Sequence, residues 1–137
     1  MKVKLDNGAK MPTKAHPTDA GFDIYSREMQ IVPAKESAIF DTGVHIELPP
    51  NTVGMLKSKS GLNVNHGIVS EGVIDVGYTG SIRVKLYNHG GYDYIVNRGD
   101  KISQLVILPL ADVGDLELVK TLEETERGNN GFGSSGK

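Results

Sequence analysis

An all-β sandwich or barrel is the fold this sequence predicts, and three observations carry the prediction. Short runs with a two-residue apolar period recur along the chain, Gly, Pro and Asn punctuate them, and helix-length amphipathic windows are few. Seventeen glycines in 137 residues fit the same picture, since many short strands need many tight connections. A chain of this length suits one domain that hides roughly two thirds of its unfolded surface and needs no staples. No internal repeat and no second domain stand out.

Taken in order, Lys2–Leu5 alternates and opens the series. In Asp19-Ala20-Gly21-Phe22-Asp23-Ile24-Tyr25-Ser26, Phe22 and Ile24 entering the core would send Asp23 to the opposite face. Val44–Leu48 alternates again and stops at Pro49-Pro50, because proline donates nothing to a ladder. Val53–Leu56 is the next strand, followed by at most a turn or two of helix near Gly61–His66. Ile82–Tyr87, Ile102–Leu108 and Leu116–Val119 complete the strands. Composition changes once, at Arg127; from there to Lys137 the chain is too poor in apolar groups to order itself. The expected organisation is a β domain over residues 1–126 and a flexible glycine-rich tail over residues 127–137.

Composition excludes several kinds of chemistry. There is no cysteine, which fits a reducing compartment and removes thiolate nucleophiles and Cys-ligated zinc. His16, His45, His66 and His89 lack metal-ligand spacing and read as surface or loop residues. A formal charge of −2 gives no basic field for duplex nucleic acid. The N-terminus, Met-Lys-Val-Lys-Leu-Asp, has no apolar signal core and no run reaches membrane-spanning length. A soluble, intracellular protein is expected: cytoplasmic, or inside the host cell if the source is a virus.

Gly72-Val73-Ile74-Asp75-Val76-Gly77-Tyr78-Thr79-Gly80, with Ile82, Val84 and Leu86 behind it, reads as a β-hairpin with Asp75 and Tyr78 at its tip. A carboxylate and an aromatic ring on a rigid turn can act on a small ligand, although one such turn alone reads first as a surface hairpin. Leu56-Lys57-Ser58-Lys59-Ser60-Gly61-Leu62 sets hydroxyls beside cations and a glycine, suited to phosphate oxygens or to an ordinary wet loop. On its strand Gln104 should share a face with Ile102 and Val106, where a side-chain amide needs a fixed partner. The tail carries a lone Arg127 and a lone Phe132 among glycines and serines. Gly131–Lys137 also spells the start of a P-loop, but no strand precedes it and the chain ends where Ser or Thr is required.

Five of these stretches, in order, resemble the five motifs of the trimeric dUTP pyrophosphatase (dUTPase) family. Ala20-Gly21-Phe22-Asp23-Ile24 is similar to Ala-Gly-x-Asp-Leu, and Ser58–Leu62 to Pro-Arg-Ser-x-Leu, with Ser58 and Lys59 departing from it. Gly72–Gly80 resembles the third motif, with Thr79 where many relatives carry arginine. Gly99-Asp100-Lys101-Ile102-Ser103-Gln104-Leu105 resembles Gly-Asp-Arg-Ile-Ala-Gln-Leu, and Arg127–Gly136 resembles Arg-Gly-x-x-Gly-Phe-Gly-Ser-Thr-Gly, with Ser135 for threonine.

The resemblance implies a distorted jelly-roll or β-clip fold, a C3 homotrimer with shared active sites, and Mg²⁺-assisted hydrolysis of dUTP to dUMP and pyrophosphate. Asp75 would be the base or orienting group for the attacking water, with Gln104 at the α-phosphate. Asp23 would hold Mg²⁺ through water. Lys59, Ser60 and Gly61 would bind phosphate, Lys59 without the bidentate fork of arginine. The backbone of Gly72, Val73 and Ile74 would read uracil, and Tyr78 would exclude a 2′-hydroxyl. Arg127, Phe132, Gly133, Ser134 and Ser135 would close as a lid, and Leu116–Val119 is a candidate strand crossing to a neighbouring subunit. A dCTP deaminase or bifunctional deaminase of the same fold, for which Glu71 is the residue to test, and a non-catalytic nucleotide sensor or partner-binding protein remain alternatives. A regulatory protein partner is likewise left open.

Overall fold

The computed structural model describes residues 1–131. Among them lie β1 (Lys2–Leu5), β2 (Gly21–Tyr25), β3 (Gln30–Val32), β4 (Ser37–Asp41), β5 (Val44–Glu47) and β6 (Thr52–Lys57). After β6 come α1 (Ser60–His66), β7 (Ile68–Ile74), β8 (Arg83–Asn88), β9 (Tyr94–Val96) and β10 (Lys101–Pro109). Strands β2, β10, β6, β7, β8 and β4 pair in that order as one antiparallel sheet. Two ribbons, β1 with β5 and β3 with β9, complete the architecture.

Period-two alternation shapes the sheet. In β8, Val84 and Leu86 are fully buried while Arg83 and Tyr87 are exposed, and β4 repeats the pattern with Ala38 and Phe40 inward. Ile24 of β2, Val32 of β3, Val44 of β5, Leu86 of β8, Val96 of β9 and Leu105 of β10 meet in one core cluster. Both ribbons therefore close over the curled sheet, the jelly-roll-like arrangement expected. Helix α1 is brief because its chain turns left-handed at Gly67 (φ 66°), whose N–H closes on the Asn63 carbonyl at 2.9 Å. Among the described residues no helix is long and apolar enough to cross a membrane.

Two sequence expectations change. Gln104 does not share its face with Ile102: the register of β10 against β2 shifts between Lys101 and Ser103, and Ile102 and Ser103 are both buried. A bulge there turns Ile102 into the core, while Gln104 stays with Val106 on the outer face. Leu116–Val119 forms no strand within the chain, and Leu116 and Leu118 are fully exposed. Its apolar alternation is real, but among the described residues no ladder partner lies beside it; residues 110–131 are exposed throughout.

Candidate active site

Register brings three of the five stretches together on the outer face. Asp23 of β2 lies opposite Gln104 of β10, and Gln104 lies opposite Lys57 of β6, so their side chains project to the same side. The loop after β6 then passes over them. Lys59 Nζ donates to Asp23 Oδ1 at 2.5 Å, and Lys101 Nζ lies 2.7 Å from Asp23 Oδ2. Asp23 is on the face the alternation predicts, yet it is buried, at 5% exposure, beneath these two cations. Burial alone would raise its pKa, but hydrogen bonds from Lys101 and Lys59, and their charges, hold it below the ordinary carboxylate value. The same pairing raises Lys101.

Behind this pair lies a hydroxyl network. Ser58 Oγ donates to the Ser70 carbonyl at 3.1 Å and accepts from the Ser70 N–H at 2.9 Å. Ser103 Oγ donates to the Lys57 carbonyl at 3.1 Å and stands 2.9 Å from Ser70 Oγ. Gln104 Nε2 donates to the Ser58 carbonyl at 3.3 Å, so the amide expected to be fixed has a partner. Ser60 and Gly61 open α1 and are exposed, and a side chain at Gly61 would meet nothing within 4 Å.

The hairpin is more open than its sequence suggests. Strand β7 pairs with β8 only from Ile68 to Ser70. From Glu71 to Ile74 it pairs with β6 alone, so its edge toward β8 carries free main-chain groups. Leu56, Gly72, Ile74, Tyr78, Ile82 and Arg83 line the resulting cleft with Val73 and Asp75, enclosing about 220 Å³. Sites that bury a whole drug-sized ligand run to about 300–1,000 Å³. This cleft therefore accommodates part of a nucleotide-sized molecule.

At its mouth the Tyr78 N–H donates to the Asp75 carbonyl at 3.2 Å, closing a turn that needs positive φ at its third residue, Gly77 (φ 92°). The Tyr78 hydroxyl donates to the Ser81 carbonyl at 3.0 Å. A Cβ at Gly80 would stand 2.6 Å from that hydroxyl oxygen, so glycine is what lets the ring lie there. Asp75 is exposed.

Asp75 and Gln104 do not meet within one chain. Asp75 lies four residues beyond Glu71, which faces Lys57 and hence the Gln104 row, and four residues of strand span about 13 Å. Val53, Met55, Val73, Val106 and Leu108 occupy the outer face between them. Arg127 lies in an exposed turn, its Nε donating to the Asn130 carbonyl at 3.3 Å. Phe132, Gly133, Ser134 and Ser135 lie outside the described residues. Sequence reasoning missed Lys101 and the Ser58–Ser70–Ser103 network. The signal lay in departures from two family motifs, Ser58 in the second and Lys101 and Ser103 in the fourth, which only the fold shows to be neighbours.

The dUTPase family model matches residues 7–136. A deoxyuridine 5′-triphosphate nucleotidohydrolase of Kluyveromyces lactis is 40% identical, covering 100% of this chain and 94% of the relative. One from Clostridium tetani is 43% identical, with coverage of 100% and 97%. Among solved structures, a Staphylococcus bacteriophage 80alpha dUTPase with dUPNHPP superposes with a TM-score of 0.91 at 33% identity, covering 99% of this chain and 98% of that one. A dUTPase variant from Staphylococcus aureus phage phi11, described with a structural Mg(II) ion, gives 0.81 at 30% identity over 90% of this chain and 98% of its own. With five motifs in order, the expected β fold and matches along essentially its full length, the chain belongs to the dUTPase family.

Proposed function

We propose that the protein hydrolyses dUTP to dUMP and pyrophosphate by water attack on the α-phosphorus, limiting uracil in DNA and supplying dUMP for dTMP synthesis. The observation that carries this reading is the cleft between the parted strands β7 and β8, with Asp75 and Tyr78 at its mouth. In this reading Asp75 orients the water, accepts its proton and contacts the 3′-hydroxyl, while Gln104 steadies the water and the α-phosphate. Lys59, Ser60 and Gly61 hold phosphate oxygens. Tyr78 lies against the deoxyribose, where a 2′-hydroxyl would need room. The free edge of Gly72, Val73 and Ile74 meets uracil with fixed main-chain donors and acceptors, an order that cytosine inverts, and the wall leaves no space for the methyl of thymine. Arg127, Ser134, Ser135 and the backbone at Gly133 grip the γ-phosphate, and Phe132 covers the base.

A homotrimer with shared sites suits this separation of Asp75 from Gln104. One water cannot bridge about 13 Å, so in this reading Asp75 and Gln104 act on it from different chains. The apolar outer face between them, where Val73 is 62% and Leu108 46% exposed, is the surface such an assembly would cover. Exposed Leu116–Val119 is suited to lie along a neighbouring subunit.

In this reading Asp23 holds magnesium only through water. Among the described residues no three acidic or histidine side chains cluster as a ligand set, and both Asp23 oxygens already face ammonium groups. Asp23 can accept from a hydrated ion whose inner ligands are substrate oxygens, as suits an ion that dehydrates reluctantly. When bound it would disperse charge on the phosphates.

Deamination gains no support, because Glu71 is paired with Lys57 at 2.8 Å on the outer face, away from the cleft lining. Pyrophosphate release with Mg²⁺, measured side by side for dUTP, dCTP, dTTP and UTP with ultraviolet monitoring of the base, tests the proposal. Release from dUTP alone is expected. Conversion of cytosine to uracil would transfer the fold to deaminase chemistry, and silence on all four would leave a nucleotide-binding protein without hydrolysis.

A further inference from the structure

His45 occupies β5 opposite Lys4 of β1 and reaches the far side of the hairpin tip. Its Nδ1 lies 2.8 Å from the Thr79 carbonyl oxygen. Its Nε2, buried and without a well-aligned hydrogen-bond partner, lies 3.1 Å from Asp6 Oδ2. A carbonyl and a carboxylate both only accept, so a neutral ring leaves one lone pair facing an oxygen and the imidazolium alone satisfies both sides. The charged groups around the ring are Asp6, Lys4 across the ribbon, and Arg27, which stands 3.8 Å from Asp6. Beyond Thr79 the loop is tied down separately: Ser81 Oγ donates to Asp41 Oδ1 at 2.5 Å, and the Ile82 N–H to the Val44 carbonyl at 2.8 Å. The His45–Thr79 bond thus fastens the part of the loop next to Tyr78.

We propose that His45 is a positioning residue: it clamps the Tyr78–Thr79 turn to the β1–β5 ribbon and so sets how firmly the site rejects a ribose. This rests on the reading of Tyr78 as the wall against the sugar. The clamp is complete when the ring is protonated. The Thr79 carbonyl and the Asp6 carboxylate together raise the pKa of His45, outweighing burial and Lys4. A raised folded-state value means that the full clamp is present below the ordinary histidine pKa of about 6.5 and is lost as pH rises through the folded value.

Three proteins decide it: wild type, H45A and H45N, whose amide nitrogen can take the place of Nδ1 toward Thr79 without titrating. Steady-state kinetics with dUTP and UTP from pH 5.5 to 9, and thermal melting at each pH, are measured in parallel. At pH 6, H45A should raise the dUTP KM and lower dUTP-over-UTP discrimination each by about tenfold, the scale of one charged hydrogen bond, with kcat nearly unchanged. The wild-type KM, divided by that of H45N at each pH, should rise across the neutral range, and H45N should recover most of the discrimination. An H45A protein with wild-type discrimination and an unchanged KM profile overturns the proposal, as does one whose only defect is a lower melting temperature. If wild type itself takes UTP as readily as dUTP, the reading of Tyr78 falls first and the role of His45 falls with it.

Discussion

Replacing Asp75 by asparagine should lower dUTP turnover by about 10³-fold while leaving nucleotide affinity within a few-fold of wild type. The carboxylate stands exposed at the end of a turn that Gly77 and the Tyr78 N–H hold in shape. Asparagine is nearly isosteric there and keeps a hydrogen-bonding contact for a sugar hydroxyl, but it cannot accept a proton from water. Loss of rate without loss of binding is therefore the signature of a base. Calorimetric titration with a non-hydrolysable dUTP analogue, beside steady-state kinetics, separates the two quantities. Unchanged turnover in D75N would remove Asp75 from the mechanism.

Deleting residues 127–137 should leave a folded oligomer whose turnover is lower by about 10²-fold, comparable to removing a donor that acts on developing charge. No residue from 110 to 131 is buried, so the core and the sheet do not depend on the described part of this segment. Arg127 and the serines beyond it are instead assigned to the γ-phosphate, where their contribution depends on bound substrate. Melting temperature and sedimentation should match the full chain within error while the rate collapses. Full activity in the truncated protein would sink the lid.

Local features of this fold were legible in the sequence, and long-range ones were not. The turn at Asp75–Tyr78 could be read because a positive φ at Gly77 and alternation on either side are properties of adjacent residues. The end of β5 before Pro49 was equally local. By contrast, the ion pairs on Asp23 join residues 36 positions apart for Lys59 and still farther for Lys101, and nothing in either stretch announces the other. The bulge that turns Ile102 inward depends on how β10 registers against β2, and the parting of the hairpin past Ser70 shows only in how β7 registers against β6 and β8. Leu116–Val119 failed in the other direction, since its alternation promised a strand that no neighbour among the described residues completes. The family motifs supplied the candidate residues; the fold revealed that Asp75 and Gln104 sit at two margins of one outer face.

That separation sets the measurement closest to the central claim, that dUTP is hydrolysed at sites no single chain completes. D75N and Q104A, each inactive alone, are co-refolded at equal ratio and assayed for pyrophosphate release from dUTP. In randomly assembled trimers about a quarter of the sites would pair an intact Gln104 with a neighbour's intact Asp75. Recovery of activity toward about that fraction of wild type is expected. Activity no greater than the sum of the two parents, in a mixture shown to contain mixed oligomers, would contradict it.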